Sequence, residues 1–463
     1  MLMASASYLP ITIVPTKTFQ DNQNTVYLSN SLLNHWGLKP SNQLNLFIGT
    51  KLLHIRVEPR AIEKDVLLVS EEFMSNLPLP IQEIRFMSQY DRSQRTLYLG
   101  PVFALVTEIQ EQENGPNFRS IHSFCEELHF TSNIGGGFFY VFHIKNFSND
   151  EIEGYYYDND EWKKGNFLLP SVIYNRIHSR NIEASSFFKN KVSEIALQQI
   201  PIFNERFLSK WEVHNLLFAE EHLHPFLPDT QILNFDVLRL FLEKYDSVFL
   251  KPINGSQGRN IFRVTKADKN IIVQSSSASE KDKRKTFNDL DDFFEWFEKR
   301  KHTIFIIQKT IPLATFEGRQ LDFRVLCHKN FQATWRVTSI IARVSSKTQF
   351  VSNLAQGGEM LKPVIPLTAL FNYKTALSHV TFMKELSLEV ANVISQSTEG
   401  FVGELGIDIG VDENGRLFII EVNSKPSKNA EEQKAKIRPS AKAIFEYGTA
   451  LSFKQIKRNE MGE

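Results

Sequence analysis

Two apolar segments joined by a tight turn, at residues 404–411 and 417–423, constrain the chain more than any other feature. The Asp-Glu-Asn-Gly between them is a hairpin turn signal, so the segments are predicted to pair as neighbouring strands. Asp408 and Glu421 then lie opposite each other, and Asn423 shares the face of Glu421. Two carboxylates used structurally would repel and need a basic partner. Two carboxylates and an amide oxygen instead suit Mg²⁺ that also binds nucleotide phosphates, so these residues are the predicted metal ligands.

A second feature is an apolar strand that ends in a lysine and runs into a glycine-containing loop. Lys251-Pro-Ile is followed by Asn254, Gly255, Ser256, Gln257 and Gly258. Glycines let backbone N–H groups approach phosphate oxygens, and the lysine adds a positive charge within reach. A β-hairpin with a lysine at the strand end explains the same residues equally well. The loop is not a Walker A motif, because G-x-x-x-x-G-K-[ST] is absent.

A third feature is a strand at residues 318–326 that places Asp322 and Arg324 on one face. These two side chains could simply pair with each other. In phosphoryl-transfer sites, however, an arginine stabilises the transferring group and contributes roughly 10³–10⁵ in rate. Upstream, a buried-strand pattern ends at Gln308 and Lys309, which could form an adenine-facing hinge. Helices are predicted at 290–297 and 373–394.

Length, charge and cysteine content limit the kinds of protein this chain can be. A chain of 463 residues exceeds one ordinary core, and Lys plus Arg equal Asp plus Glu at 53 each, so no overall field favours nucleic acid or an anionic membrane. The two cysteines are far apart, no leader pattern opens the sequence, and no stretch approaches a membrane span. A cytoplasmic protein without nucleic-acid or membrane partners is expected.

The pattern changes along the chain predict a domain order. Short alternating segments indicate a small β-rich domain at 1–98, and a strand–helix–strand pattern indicates an α/β domain at 99–203. Longer helices alternate with strands over 204–451, and a polar tail is expected at 452–463. No internal repeat is apparent in the sequence.

Taken together, these motifs resemble ATP-grasp enzymes in type and order. The similarity is closest to the YheC/YheD family of endospore coat-associated proteins, through Lys-Pro-Ile-Asn-Gly-Ser-Gln-Gly, Asp-Phe-Arg-Val and Glu-Leu-Gly-Ile-Asp with Glu-Val-Asn-Ser-Lys-Pro. The resemblance implies an α+β fold in which two α+β subdomains hold ATP between them. A pre-ATP-grasp α/β domain and the small N-terminal β domain would precede that fold.

The resemblance also implies roles for individual residues. Lys251 would contact the α- and β-phosphates, with Asn254 to Gly258 as the loop closing on them. Gln308 and Lys309 would lie near the adenine, and Lys210, in Ser-Lys-Trp-Glu, would be a further nucleotide contact, although a surface lysine fits that short match equally well. Arg324, Arg343 and Asn353 would act on the transferring phosphoryl group. Asp408, Glu421 and Asn423 would hold one or two Mg²⁺ ions.

The implied reaction is ADP-forming ligation of a carboxylate to an amine through an acyl phosphate. Small-molecule or peptide carboxylates and amines are then the substrates, with ATP and Mg²⁺ as cofactors. Two alternatives remain open: a non-catalytic nucleotide-binding protein of spore-coat assembly, and an ATP-grasp kinase that phosphorylates a hydroxyl. Spore-coat proteins and a coat-associated location are further expectations that come from the resemblance alone.

Overall fold

A computed structural model describes residues 8–18, 24–255, 258–268, 270–276, 283–346, 358–428 and 437–461. The chain divides into two compact units, each with its own buried apolar clusters. Unit 1 comprises Met1–Arg206, Lys329–Thr334 and Ser427–Glu463, and unit 2 comprises Phe207–His328 and Trp335–Pro426. No helix in the described part of the chain is both long enough and apolar enough to span a membrane.

Unit 1 begins with a closed β-barrel whose strand order is β1-β5-β2-β4-β3-β7-β6. Its inward side chains alternate with outward ones, so the barrel interior is filled by aliphatic and aromatic groups. The elements are β1 (Leu9–Thr16), β2 (Thr25–Ser29), α1 (Asn30–Trp36), β3 (Gln43–Ile48), β4 (Lys51–Arg60), β5 (Val66–Ser70), α2 (Glu71–Ser75), β6 (Ile84–Asp91) and β7 (Thr96–Gly100).

The barrel contains a repeat that the sequence does not reveal. Strand β1 pairs with β5 in parallel, and β4 pairs with β2 in the same way. Strand β1 also pairs with β6 in antiparallel orientation, and β4 pairs with β3 in the same way. The helices match as well, because Ser29 caps α1 and Ser70 caps α2 through the same side-chain hydrogen bond. The units β1-β2-α1-β3 and β4-β5-α2-β6 therefore repeat the same strand pairing and helix capping, and β7 is an addition. The pair Thr12↔Val66 between β1 and β5 corresponds to the pair Arg56↔Thr25 between β4 and β2. The pair Ile11↔Phe86 between β1 and β6 corresponds to the pair Ile55↔Leu44 between β4 and β3.

The second part of unit 1 is a mixed sheet with strand order β13-β12-β11-β8-β14-β15. Strands β8 and β11 are parallel and joined by α3, which confirms the predicted strand–helix–strand pattern. The last helix, α11, continues through Met461, beyond the point at which a polar tail was expected. The elements are β8 (Val102–Val106), β9 (Gln110–Gln112), β10 (Gly115–Asn117), α3 (His122–Gly135), β11 (Phe138–Phe142), β12 (Glu151–Asp158), β13 (Glu161–Leu168), β14 (Val172–Asn175), α4 (Arg180–Ala184), α5 (Ser186–Leu197), β15 (Ile202–Phe203) and α11 (Pro439–Met461).

Unit 2 contains a first sheet with strand order β16-β21-β17-β18-β19-β20. The predicted helix at 290–297 is confirmed as α8, which Asp289 caps and whose buried phenylalanines pack on this sheet. The elements are α6 (Lys210–Phe218), β16 (Thr230–Ile232), α7 (Phe235–Lys244), β17 (Ser247–Pro252), β18 (Phe262–Ala267), β19 (Asn270–Ser275), β20 (Arg284–Phe287), α8 (Leu290–Glu298) and β21 (Phe305–Lys309).

The second sheet of unit 2 has the order β25-β24-β23-β26-β27, with β22 paired to β23. Helix α10 begins after its cap, Asn372, and covers this sheet with a buried face, as the prediction at 373–394 expects. The elements are β22 (Thr315–Phe316), β23 (Arg319–Lys329), β24 (Trp335–Val344), β25 (Glu359–Leu361), α9 (Val364–Leu370), α10 (Tyr373–Ser397), β26 (Glu404–Val411) and β27 (Leu417–Asn423).

Candidate functional site

The acidic pair that the hairpin predicts lies on neighbouring strands of unit 2. Asp408 on β26 is the Cα partner of Glu421 on β27, which confirms the predicted pairing, and Asn423 pairs with Gly406 two residues further along. The register shifts immediately after Asp408, at a bulge of the kind that redirects side chains near functional sites. Two carboxylates and an amide thus occupy adjacent positions at one end of the hairpin.

Arginines surround Asp408, which is 5% exposed. Arg324, its Cα partner on β23, donates from Nε to Oδ1 and from Nη2 to Oδ2, the latter at 3.0 Å. Arg343 on β24 donates to both carboxylate oxygens of Asp322 at 2.6 and 2.7 Å, and its Nη2 also lies 3.1 Å from Asp408 Oδ2. A buried carboxylate is stable here because bidentate arginines neutralise it.

Glu421 has a different cationic partner. Lys210, the first residue of α6, donates from Nζ to Glu421 Oε1 at 2.8 Å and to the Gly255 carbonyl oxygen at 2.8 Å. Its backbone N–H donates to the Ile253 carbonyl at 2.9 Å, so the helix start is anchored to the loop after β17. The capping box formed by Ser209 fixes that helix start. Lys210 is therefore a half-buried residue that is held between Glu421 and the loop after β17.

Lys251 is the other lysine of the site and is 8% exposed. Its Nζ donates to Gln308 Oε1 at 2.6 Å, because β17 and β21 are antiparallel neighbours. Gln308 Nε2 in turn donates to Thr230 Oγ1 at 3.0 Å on β16. The strand-end lysine of the sequence analysis therefore points into the protein and does not extend into solvent.

Both lysines and Glu421 line one cleft of about 460 Å³, a volume that includes its part open to solvent, whereas Asp408 and its two arginines are not among the lining residues. Lys210, Lys251, Gln308, Thr230 and Glu421 line its polar end. The remaining lining is mostly apolar, as is common in pockets that bind small molecules. It consists of Val213, His214, Leu217, Leu227, Pro228, Ile306, Ile419, Ile420 and Val422.

Burial and neighbouring charges set the protonation states of this cluster. Burial lowers the pKa of Lys251 to about 8, with Glu421 opposing that change and Lys210 adding to it. Burial would raise the pKa of Asp408, but Arg324 and Arg343 hold it below the ordinary value. Burial also lowers the pKa of His214 in the cleft wall. At neutral pH the lysine is therefore largely charged and the aspartate is ionised.

The charges of the cluster suit an anionic ligand that brings its own cation. The positively charged residues of the cluster are Lys210, Lys251, Arg324 and Arg343, and the negatively charged ones are Asp322, Asp408 and Glu421. Among the described residues, no group of three His, Cys, Asp or Glu side chains forms a complete metal site. Asp408, Glu421 and Asn423 are hard oxygen donors that fit Mg²⁺ once phosphate oxygens complete the shell and attract the arginines and lysines. The residues present therefore fit Mg-ATP.

Some predicted residues lie elsewhere or outside the described part. Asn254 is exposed, and the carbonyl of Gly258 accepts from Ser276 Oγ at 2.6 Å. The ammonium of Lys309 lies 5.1 Å from the centre of the Tyr245 ring, whereas the neighbouring Gln308 faces the cleft. Ser256, Gln257 and Asn353 lie outside the described residues.

Sequence reasoning missed several residues of the cleft. Thr230 comes from a strand of three residues, too short to carry a recognisable pattern. His214 and Val213 lie on α6, one turn after Lys210, and this i, i+3, i+4 spacing could have indicated them. Asp322 was considered as a partner of Arg324, yet it pairs with Arg343.

Comparison with known proteins identifies the family. A model of YheC/D-like ATP-grasp domains matches residues 199–451. The endospore coat-associated protein YheD of Bacillus subtilis (strain 168) is 30% identical over 416 residues, 88% of each chain. The endospore coat-associated protein YheC of the same organism is 24% identical over 280 residues, covering 60% of this chain and 76% of that protein.

Solved structures resemble the chain more weakly. The D-alanine–D-alanine ligase from Coxiella burnetii is 10% identical, with 78% of this chain and 98% of that chain covered and a TM-score of 0.45. The D-alanyl-alanine synthetase A from Vibrio cholerae is 12% identical, with 77% and 99% covered and a TM-score of 0.47. The family assignment does not depend on these structures. On the family match and the similarity to YheD, the chain belongs to the YheC/YheD family of ATP-grasp proteins, with an α+β fold.

Proposed function

We propose that this protein is an ADP-forming ligase that binds ATP with one or two Mg²⁺ ions and joins a carboxylate to an amine through an acyl phosphate. The observation that carries the proposal is the set of buried and half-buried paired charges, of which Lys210, Lys251 and Glu421 line a largely apolar cleft. Burying charges is costly, and replacing such pairs by apolar residues is often neutral or stabilising. A chain that uses this fold for structure alone has no need to keep them.

Each residue has a proposed task. Lys251 and Lys210 bind the nucleotide phosphates, assisted by the loop from Asn254 to Gly258, and the cleft wall around Gln308 lies near the base. Arg324 and Arg343, together with Asn353, stabilise the transferring phosphoryl group. Asp408, Glu421 and Asn423 hold the metal, which supplies neutralisation of the developing phosphate charge.

The chemistry follows from positioning. A carboxylate oxygen of the first substrate bonds to the γ-phosphorus while the bond to the ADP oxygen breaks. The amine of the second substrate then bonds to the acyl carbon, loses a proton and displaces inorganic phosphate. No protein nucleophile takes part, so the catalytic contribution comes from orientation and charge stabilisation, and orientation alone can supply about 7–11 kcal/mol.

Two other functions use the same site. A coat-assembly protein would bind ATP without turnover, and a kinase would phosphorylate a hydroxyl. The names of YheD and YheC describe endospore coat-associated proteins, which supports coat association for this chain as part of the proposal. Coat proteins are then proposed partners.

The experiment that tests the reaction measures ADP release from Mg-ATP. Purified protein is supplied with pools of amino acids, peptidoglycan fragments and spore extract, first singly and then in pairs. A ligase releases ADP only when a carboxylate and an amine are both present. Bound ATP without ADP in any mixture would favour the coat-assembly alternative, and a phosphorylated hydroxyl product would favour the kinase.

Nucleotide affinity is predicted to fall at alkaline pH. Lys251 contributes a positive charge below its pKa of about 8 and loses that charge as the pH rises through this value. Above pH 8 we expect the affinity for Mg-ATP to fall by up to about tenfold per pH unit until the bound state also loses the proton. Calorimetric titrations between roughly pH 6.5 and 9.5, a range that brackets this pKa, measure the effect.

The matched control for this prediction is Lys251→Arg, whose guanidinium stays charged throughout the range. A variant that still binds should have a flat profile over the pH values at which the wild type weakens. A flat wild-type profile would contradict the assignment of Lys251 as a phosphate-binding group.

A further inference from the structure

A directional chain of hydrogen bonds runs along the wall of the cleft in unit 2. Thr230 Oγ1 donates to the carbonyl oxygen of Pro228 at 2.8 Å, and Gln308 Nε2 donates to Thr230 Oγ1 at 3.0 Å. Lys251 Nζ then donates to Gln308 Oε1 at 2.6 Å. Thr230, Gln308 and Lys251 are each less than a tenth exposed, so water has little access to these bonds.

The direction of the chain has one consistent assignment. A backbone carbonyl only accepts, so the single hydroxyl proton of Thr230 is used on Pro228. The Thr230 oxygen can then only accept, which requires the NH₂ end of the Gln308 amide to face it. The opposite end, the carbonyl, necessarily faces Lys251. An ammonium group only donates, so the reverse orientation of the amide would place the Gln308 NH₂ against the Lys251 ammonium, with two donors facing each other.

The orientation matters because Lys251 is a buried cation. Its ammonium has left water, and a fixed carbonyl oxygen at 2.6 Å replaces part of the lost hydration. The same bond holds the side chain at the polar end of the cleft, where Lys210 and Glu421 also lie. Gln308 was expected to lie near the adenine, and its side-chain amide bonds to Lys251 at one end and to Thr230 at the other.

We propose that Thr230 is a positioning residue for Lys251, because its bond to Pro228 forces Gln308 to present a carbonyl oxygen to the lysine ammonium. The relay keeps Lys251 charged and directed before the nucleotide arrives, so that phosphate oxygens replace the glutamine carbonyl without reorganising the wall. Its functional importance rests on the proposed nucleotide site, whereas its effect on Lys251 belongs to the ligand-free protein.

The test is the protonation midpoint of Lys251 in the ligand-free protein. Competitive labelling with acetic anhydride across pH, read by mass spectrometry at Lys251, measures this midpoint without any nucleotide. In Thr230→Val the NH₂ end of the amide loses its acceptor, so the carbonyl oxygen is no longer held in place beside the ammonium, and the midpoint should fall by about one pH unit. The affinity for Mg-ATP at neutral pH should fall by about fivefold. Thr230→Ser, which keeps the hydroxyl, should restore both values.

Two further variants keep the test decisive if Thr230→Val does not fold. Gln308→Glu offers an acceptor at both oxygens and should move the Lys251 midpoint upward, whereas Gln308→Met removes the carbonyl and should move it downward. Thr265→Val is the matched control, because the Thr265 hydroxyl donates to Ser247 Oγ at 3.3 Å elsewhere in the same sheet and should leave the midpoint unchanged.

A folded Thr230→Val protein with the wild-type midpoint would overturn the relay. So would a Thr230→Ser protein that behaves like Thr230→Val, since the hydroxyl would then not be the operative group. If the wild type binds no nucleotide, the proposed function fails, but the labelling result still decides the relay. The two proposals can therefore fail separately.

Discussion

Replacing Glu421 with glutamine is expected to lower Mg-ATP turnover by at least about a hundredfold while leaving the fold intact. The substitution keeps the shape of the side chain but removes a charged oxygen donor to the metal and the partner of Lys210. The Lys210–Glu421 pair is partly solvent-exposed, so its loss should cost little stability. Steady-state ADP release and thermal unfolding of the two proteins measure the two effects.

Glu413→Gln is the matched control for this substitution. Glu413 lies in the turn of the same hairpin and is exposed, so the change removes an equal charge from the same element outside the site. Its turnover should equal that of the wild type. Normal turnover in Glu421→Gln would remove Glu421 from the metal site.

Replacing Lys251 with methionine is expected to weaken Mg-ATP binding by roughly 10- to 100-fold, the value of a charged hydrogen bond in a buried site. Methionine fills similar space without the charge, and the carbonyl of Gln308 loses its donor. Turnover should fall further than affinity, because the lysine also holds the phosphates in line. Nucleotide titration and ADP release on the same preparation separate binding from turnover.

Lys266→Met provides the comparison for Lys251→Met. Lys266 is an exposed lysine on the next strand, β18, so its replacement tests the general effect of removing one positive charge from this sheet. Binding in this variant should be unchanged. If Lys251→Met bound Mg-ATP as tightly as Lys266→Met, the phosphate-binding role of Lys251 would be wrong.

Local sequence signals predicted the parts of the site that depend on neighbouring residues. The turn between β26 and β27 and the alternation on either side define a hairpin, and a hairpin fixes which residues face each other. The pairing of Asp408 with Glu421 followed from that alone and is confirmed. The helices α8 and α10 were equally predictable from the sequence, because the cap and the apolar face of each helix lie within one segment.

Local sequence signals could not predict which side chains form ion pairs across strands that are distant in the sequence. Asp322 and Arg324 share a face of β23, so the sequence suggested that they pair with each other. The strand order β24-β23-β26 instead places Arg343 on one side of β23 and Asp408 on the other, and each member of the expected pair has a partner there. Only the sheet order decides this, and no local pattern encodes it.

The barrel repeat was hidden for a related reason. Its two halves agree in strand register and in the serine caps of α1 and α2, while the apolar positions are filled by different residues. A barrel interior accepts many combinations of apolar side chains of suitable total volume, so burial can repeat where identity does not. Thr230 was missed because its role depends on the orientation of a distant amide.

The central claim, activation of a carboxylate by ATP in this cleft, is tested most directly by trapping the acyl phosphate. Hydroxylamine added to protein, Mg-ATP and a carboxylate pool converts an acyl phosphate into a stable hydroxamate. We predict hydroxamate formation in step with ADP release by the wild type, and at least about a hundredfold less of both products from Glu421→Gln. ADP release without hydroxamate, or equal hydroxamate from the two proteins, would contradict the claim.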